Sequence, residues 1–94
     1  AAFGDDGRVL AVATLYLERS SPVAVCGWCF ANPENRPRES WRAVRLLMSV
    51  LPAYARRFGA KFLMTTFGNR GINRILDSRG FVHGENSENK FIVL

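Results

Sequence analysis

The sequence predicts a single α/β domain in which helices cover a mixed sheet. Two observations carry this prediction: apolar β-forming segments alternate with segments of helical periodicity, and a long helix connects two of the strands. A short turn joins antiparallel strands, whereas a strand–helix–strand crossover is normally right-handed and joins parallel ones. The chain has 94 residues, the size of one domain, so we assign residues 1–94 to a single domain.

The first two strands form a predicted hairpin. Residues 8–17 are apolar and rich in β formers, and they follow the turn-forming Asp5-Asp6-Gly7. A turn that ends at Pro22 leads into a second apolar segment, residues 23–31. The two segments are long enough to pair as antiparallel strands.

Residues 38–58 form the clearest predicted helix. Apolar residues recur there at spacings of three and four, and the stripe consists of Trp41, Val44, Met48, Leu51, Ala55 and Phe58. A proline of the preceding loop can open the helix, and Gly59 is a stop signal. Pro52 lies inside the pattern and predicts a kink or break near Ser49.

The remaining elements are shorter. Residues 61–67 are predicted as a strand, residues 70–79 as a second helix that Gly80 ends, and residues 90–94 as a last strand. The polar segment 84–89 is predicted as a turn. The order is therefore β-β-α-β-α-β, with room for one further strand after Gly80.

The charge favours an anionic partner. The formal net charge is +5, and Lys and Arg together number 13, of which all but Lys61 and Lys90 are Arg. Arginine binds phosphate and carboxylate through a planar fork, so a phosphorylated small molecule or a nucleic acid fits this composition. The alternative is the codon bias of a GC-rich genome. Apolar runs are far shorter than the ~20 residues of a membrane helix, so no membrane partner is expected.

Arginines crowd the start of the long helix. Arg36, Arg38 and Arg42 lie where the helix macrodipole places partial positive charge, which disfavours cations. An anion bound at the exposed backbone N–H groups would reverse that effect, so we predict an anion site here. The alternative is a solvated basic face with Glu34 and Glu39 as local partners.

Cys26 and Cys29 form a CxxC pair inside the second strand. A spacing of three along a regular strand points the two side chains to opposite faces. The only histidine is His83, so a four-ligand zinc site within the chain lacks ligands. We therefore favour structural thiols over a redox or metal role and, since no basic-then-apolar leader is visible, expect a cytoplasmic location.

The order of elements resembles the GCN5-related N-acetyltransferase (GNAT) superfamily. That family has a strand, a phosphate-binding loop, a long helix ending in Gly, a strand, an Asn, and a short helix ending in Gly-Phe. Asn69 and Gly80-Phe81 stand at the matching places, and the resemblance covers roughly residues 8–94. It implies that strands 23–31 and 61–67 are parallel and splay apart, and that acetyl-CoA or CoA binds in the gap.

The resemblance also implies which residues would bind the cofactor. The pyrophosphate would sit on the start of the long helix, where the loop motif is placed on residues 38–43. A backbone N–H near Phe30 would stabilise the oxyanion. The implied cofactor-binding residues are Phe30, Arg38, Ser40, Arg42, Ala43, Val44 and Asn69. No catalytic residue is assigned.

The sequence departs from the family pattern in three places. Trp41 replaces the first glycine of the loop motif, so its side chain must turn into the core or block the site. Leu76 stands where the family usually has the Tyr that protonates the leaving thiolate, and Leu donates no proton. The family fold normally begins with a strand and two helices that shape the acceptor site, whereas the given sequence has only a few residues before its first predicted strand, as expected of a truncated domain, a piece of a longer protein or a degenerate member.

Two functional hypotheses follow. The first is an N-acyltransferase that moves an acetyl group from acetyl-CoA to a small-molecule or protein amine. The second is a catalytically inactive GNAT-like binding or assembly module with a basic face, for which nucleic acid is a second-choice partner. Because a family layer is missing, we expect one sheet face or edge to be uncovered, and therefore a homodimer or contact with the rest of a longer protein.

Overall fold

The computed structural model describes residues 1–18, 20–84 and 89–94. It contains one six-stranded mixed sheet and two helices, the predicted fold class. In chain order the elements are β1 (Ala2–Phe3), β2 (Val9–Tyr16), β3 (Val23–Ala31), α1 (Pro37–Arg57), β4 (Phe62–Thr66), α2 (Arg70–Ser78), β5 (Val82–His83) and β6 (Asn89–Val93). The predicted turn at 84–89 lies largely outside the described residues.

The sheet has the strand order β1-β2-β3-β4-β6-β5. β2 and β3 are antiparallel, as the hairpin prediction required, and β3 and β4 are parallel, as the crossover through α1 required. β3 pairs with β4 only from Val23↔Phe62 to Cys26↔Thr65. Beyond Cys26, β3 continues to Ala31 in contact with β2 alone, so the parallel strands separate at their carboxyl ends.

Two features differ from the sequence prediction, and a third had been left open by it. β1, paired antiparallel with β2, was not predicted, because two residues carry no periodicity. β5 is the optional further strand and pairs with β6. α1 continues through Pro52 as one helix, so of the predicted kink or break the break does not occur. Pro52 removes only one helical N–H, while Met48, Leu51 and Ala55 are buried on both sides of it and hold the helix on the sheet.

The core lies between one face of the sheet and the two helices. α1 buries Ala43, Val44, Leu47, Met48, Leu51 and Ala55. α2 buries Ile72, Ile75 and Leu76. Gly59 and Gly80, the predicted stop signals, follow the helices with φ of 90° and 88°, a backbone conformation that glycine adopts without strain. Within the described residues, neither helix lies on the opposite face of the sheet.

A β-bulge at Gly27 corrects the prediction for the two cysteines. Thr14 pairs with Trp28 and Leu15 pairs with Cys26, so Gly27 is an extra residue in β3. Cys29 pairs with Ala13, which lies two residues from Leu15 and therefore on the same face. The extra residue thus turns Cys26 and Cys29 to the same, helix-covered face, and the prediction of opposite faces was wrong.

A buried lysine joins β6 to α2. The Lys90 side chain is 1% exposed, and its Nζ donates to Oδ1 of Asp77 at 2.6 Å. The same nitrogen lies 3.2 Å from Nδ1 of His83 on the neighbouring strand. A buried ammonium needs such partners because burial removes its hydration shell.

The Asp77–Lys90 pair makes the fold sensitive to acid. The hydrogen bond from Lys90 lowers the pKa of the Asp77 carboxyl. The pair therefore stabilises the fold above the ordinary carboxyl pKa of about 4, and this contribution is lost as the pH falls through the lower folded value. We expect Asp77→Asn to lower the free energy of unfolding at pH 7 and to flatten its decline between about pH 5 and pH 2, measured by urea denaturation.

The control for this prediction is Lys90→Met combined with Asp77→Asn. The double variant removes the buried charge with its partner, so most of the lost stability should return. If the double variant is as unstable as Asp77→Asn, the ion pair is not the source of the effect.

Candidate functional site

A groove opens where β3 and β4 separate. It encloses about 220 Å³ between the carboxyl end of β3, the first turns of α1 and the start of α2. Its lining residues are Cys29, Ala31, Ser40, Trp41, Val44, Asn69 and Ile72. Three of the seven residues named from the sequence, Ser40, Val44 and Asn69, therefore meet here.

Asn69 begins α2 and fixes its position beside the groove. Its Oδ1 accepts a hydrogen bond from the backbone N–H of Ile72 at 3.0 Å, as an N-cap does. Asn73 Nδ2 donates to the carbonyl of Phe67 at 2.6 Å and ties the same turn to the residue after β4. Sequence reasoning found Asn69 through the family pattern and missed Asn73, whose partner is a backbone atom.

Arginines surround the amino end of α1. A second concavity of about 500 Å³ is lined by Arg8, Glu34, Arg36, Arg38, Glu39 and Arg42. Arg38 and Arg42, two more of the predicted residues, are one helical turn apart and lie here. Neither has an ion-pair partner within the described residues.

Arg8 is the member of this cluster that the sequence did not indicate. It precedes β2, and its Nη2 donates to Oε2 of Glu39 at 2.9 Å across 31 residues of chain. Glu39 Oε1 also accepts from the N–H of Arg36 at 3.0 Å. Glu39 is thus engaged locally, as the solvated-face alternative expected, and the anion site at Arg38 and Arg42 stays a prediction.

The first turn of α1 keeps donors for such an anion. Pro37 has no N–H, and Arg38 and Glu39 precede the first intrahelical hydrogen bond, which Ser40 N–H donates to the carbonyl of Arg36 at 3.2 Å. Within the described residues no side chain accepts a hydrogen bond from these N–H groups, since the side chain of the N-cap residue Arg36 has donors only. Free amides and the helix dipole both favour negative charge here.

Phe30 and Ala43, also named from the sequence, are not among the residues that line the groove. The Phe30 ring lies on the helix-free side of the sheet, where it stacks on Trp28 with ring centroids 5.9 Å apart. Ala43 lies on the buried side of α1 and belongs to the core. Beyond Cys26, the edge of β3 that faced β4 has no strand partner, so its backbone polar groups border the groove.

Trp41 leans toward α2 and lies outside the buried core. Its ring packs over Gly71, where an added Cβ would clash with the indole, and it remains 40% exposed. Of the two expected placements, entry into the core is wrong, and Trp41 instead lines the groove. Trp41 also lines an open cleft of about 680 Å³, together with Arg45, Arg74 and Arg79.

The described residues that line the groove include no carboxylate, imidazole or amine. The ionisable lining group of the groove is Cys29, and burial raises the pKa of that thiol, so it stays protonated at neutral pH. Burial, followed by the neighbouring Cys29, raises the pKa of Cys26 to about 12. Leu76 is fully buried and cannot supply a proton. Within the described ranges no cluster of His, Cys, Asp or Glu could hold a metal ion.

Solved structures of AtaT share this fold. A chain of the AtaT–AtaR complex bound to DNA has a TM-score of 0.58 and 23% identity, covering 90% of this chain and 60% of its own length. AtaT complexed with acetyl-methionyl-tRNAfMet has a TM-score of 0.52 and 16% identity, covering 96% of this chain and 65% of its own. A mutant AtaT toxin bound to acetyl-CoA and the C-terminus of the antitoxin AtaR has a TM-score of 0.51 and 17% identity, covering 88% and 55%.

These similarities define a GNAT-like fold. The identities are too low to carry more than the fold, and this chain spans roughly three fifths of the length of the AtaT chains. No protein-family profile matches the sequence, and no curated protein matches it. Among the described residues, neither helix is long and apolar enough to cross a membrane.

Proposed function

We propose that the chain is an acyl-CoA-dependent N-acyltransferase that transfers the acetyl group of acetyl-CoA to an amine. One observation carries the proposal. On the first turns of α1, Ser40 and Val44 face the groove between the separated strands, while Arg38 and Arg42 face the adjacent basic concavity. A narrow groove beside an anion site fits a long neutral thioester arm attached to phosphates.

Each part of the site would have a separate task. Arg38, Arg42 and the free amides of α1 would hold phosphate oxygens. Ser40, Val44 and Asn69 would line the thioester arm, and the open edge of β3 near Phe30 would donate a backbone N–H to the carbonyl oxygen as it gains charge. The similarity to an AtaT structure that contains acetyl-CoA supports this assignment.

The proposed reaction can proceed without a side chain that acts as a general acid or base. The amine nitrogen attacks the thioester carbon, a C–N bond forms, and the C–S bond breaks with its electron pair on sulfur. The proton lost by nitrogen passes to solvent, and the thiolate gains one from solvent. This route accommodates a groove without a carboxylate or imidazole and a buried Leu76.

A second candidate is an inactive binding module. The absence of an acid or base among the groove residues favours it. Nucleic acid fits such a module because the chain has a net charge of +5 and the similar AtaT structures include complexes with DNA and tRNA. The acceptor amine in the first proposal could equally be carried by a small molecule, a protein or an RNA.

Calorimetry separates the two candidates. The acyltransferase proposal expects wild-type protein to bind CoA and acetyl-CoA, with short DNA as the comparison ligand. No heat of CoA binding at millimolar ligand would reject the enzyme. Binding of DNA alone, weakening steeply with salt, would support the module in its place.

A further inference from the structure

An open cleft between α1 and α2 lies next to the groove and apart from the arginines that would hold CoA. It encloses about 680 Å³, against about 220 Å³ for the groove, and we refer to it as the interhelical cleft. Its aromatic and polar lining consists of Trp41, Arg45, Arg74, Ser78 and Arg79. Helical spacing explains the grouping, because Arg45 follows Trp41 by one turn of α1 and Ser78 follows Arg74 by one turn of α2.

The interhelical cleft carries positive charge that no acidic side chain neutralises. Arg45, Arg74 and Arg79 are exposed, and within the described residues none of them forms an ion pair. The described lining includes no carboxylate, and the carboxylate of Asp77 on α2 is engaged by Lys90. Like charges around one concavity repel one another, and a bound polyanion relieves that repulsion.

The indole of Trp41 supplies a flat apolar wall to the interhelical cleft. Gly71 makes room for it, because a Cβ at that position would clash with the indole. Trp41 stays 40% exposed, so part of its side chain is open to a ligand. Aromatic faces bind nucleobases by stacking, and arginines beside them bind the phosphates. An exposed indole among unpaired arginines therefore fits a ligand that carries both rings and phosphates.

We propose that the interhelical cleft binds single-stranded nucleic acid, with a base stacked on Trp41 and successive phosphates held by the three arginines. A strand fits better than a mononucleotide, because three guanidinium groups in an open cleft can neutralise more than one phosphate. A strand also fits better than a duplex, because paired and stacked bases offer no free face to an indole. Trp41 lines the groove as well, so the strand would pass beside the thioester arm, and this last point alone rests on the proposed function.

Fluorescence anisotropy with labelled oligo(U) and oligo(dT) tests the proposal. Wild type should bind these strands more tightly than duplex DNA of the same length, and a preference for either strand identifies the sugar that is recognised. The logarithm of the binding constant should fall against the logarithm of the salt concentration with a slope of about −2, the value for three neutralised phosphates.

Arg45→Ala combined with Arg74→Ala should weaken strand binding about tenfold or more and reduce that slope to about −0.7. The matched control is Arg56→Ala with Arg57→Ala, which removes the same charge from the last turn of α1 and should leave the slope unchanged. All four arginines are exposed, and circular dichroism establishes that each variant is folded.

Tryptophan emission tests the stacking separately from the charge. The chain has two tryptophans, so in Trp28→Phe the emission comes from Trp41 alone, and oligo(U) should quench it. Trp41→Ala should weaken strand binding about tenfold, whereas Trp41→Phe should retain most of it because an aromatic ring remains. Unchanged emission on saturation with oligo(U) would overturn the stacking on Trp41.

Calorimetry with CoA separates this proposal from the proposed function. CoA should bind equally well to wild type and to Arg45→Ala with Arg74→Ala, and saturating CoA should leave oligo(U) bound. Protein that binds the strand and not CoA would reject the acyltransferase and support the strand site. Three results would overturn the strand site: no binding of either strand, an equal loss in Arg56→Ala with Arg57→Ala, or displacement of the strand by CoA, which would assign the cleft to the nucleotide of CoA.

Discussion

Replacing both Arg38 and Arg42 by alanine is expected to weaken CoA binding about a hundredfold or more. Each side chain would supply a charge-assisted hydrogen bond to phosphate, typically worth ~1.5–3 kcal/mol, and each single variant should therefore lose about tenfold or more in affinity. Both arginines lie at the amino end of α1, where the dipole disfavours cations and an anion relieves the repulsion. Titration calorimetry of the two single variants and the double variant measures the loss.

The matched control for this prediction is the pair Arg56→Ala and Arg57→Ala. These residues occupy the last turn of the same helix, so their replacement removes the same net charge far from the groove. If the control loses as much affinity for CoA as Arg38→Ala with Arg42→Ala, the loss comes from the reduced net positive charge of the protein and not from contacts at the start of α1. If CoA binds equally well to every variant, the phosphates lie elsewhere. The placement of the phosphates at Arg38 and Arg42 is then wrong, and only the assignment of the groove to the thioester arm remains.

The periodic elements could be predicted from the sequence because local pattern and tertiary packing agree there. β3 was predicted with its observed bounds, and the apolar stripe of α1 is the stripe that the sheet buries. The parallel pairing of β3 with β4 followed from the intervening helix, since a crossover of that kind has one common handedness. These are long segments in which many residues give the same signal.

The errors arose where one residue changes the geometry or where partners are distant in sequence. Gly27 inserts a bulge and turns Cys29 to the face of Cys26, and the available signal was a glycine inside a strand. Arg8 reaches Glu39 across 31 residues, and no local pattern indicates that contact. Lys90 heads a predicted strand, yet its burial depends on its contacts with Asp77 on α2 and His83 on β5.

The sequence of β3 favours burial of both faces of the strand, and this preference is visible in its local pattern. β3 is apolar on both faces, a pattern typical of strands covered on both sides, whereas a half-solvated sheet shows alternation with polar residues. Both helices cover one face, which leaves Trp28 and Phe30 exposed. The outward side chains of β3 are therefore exposed in the described structure although their composition favours burial.

Leu76→Tyr is expected to raise acetyl transfer if protonation of the leaving thiolate limits the rate, by at most about 10²–10⁴-fold. Leu76 is fully buried on α2, so the larger ring will also disturb packing at a cost of typically about 1–3 kcal/mol. Leu76→Phe is therefore the matched control, since it adds the ring without the hydroxyl. Release of free CoA thiol from acetyl-CoA, with primary amines as acceptors, measures the rate.

The comparison of these two variants isolates the proton donor. A Tyr variant that is faster than both wild type and the Phe variant would show that the groove orients the thioester and the amine and lacks only an acid. Equal rates for Tyr and Phe would mean that solvent already protonates the thiolate or that the hydroxyl does not reach it. Binding of CoA without transfer in any variant would leave α1 and the groove as a CoA-binding module, and the acyltransferase proposal would be rejected.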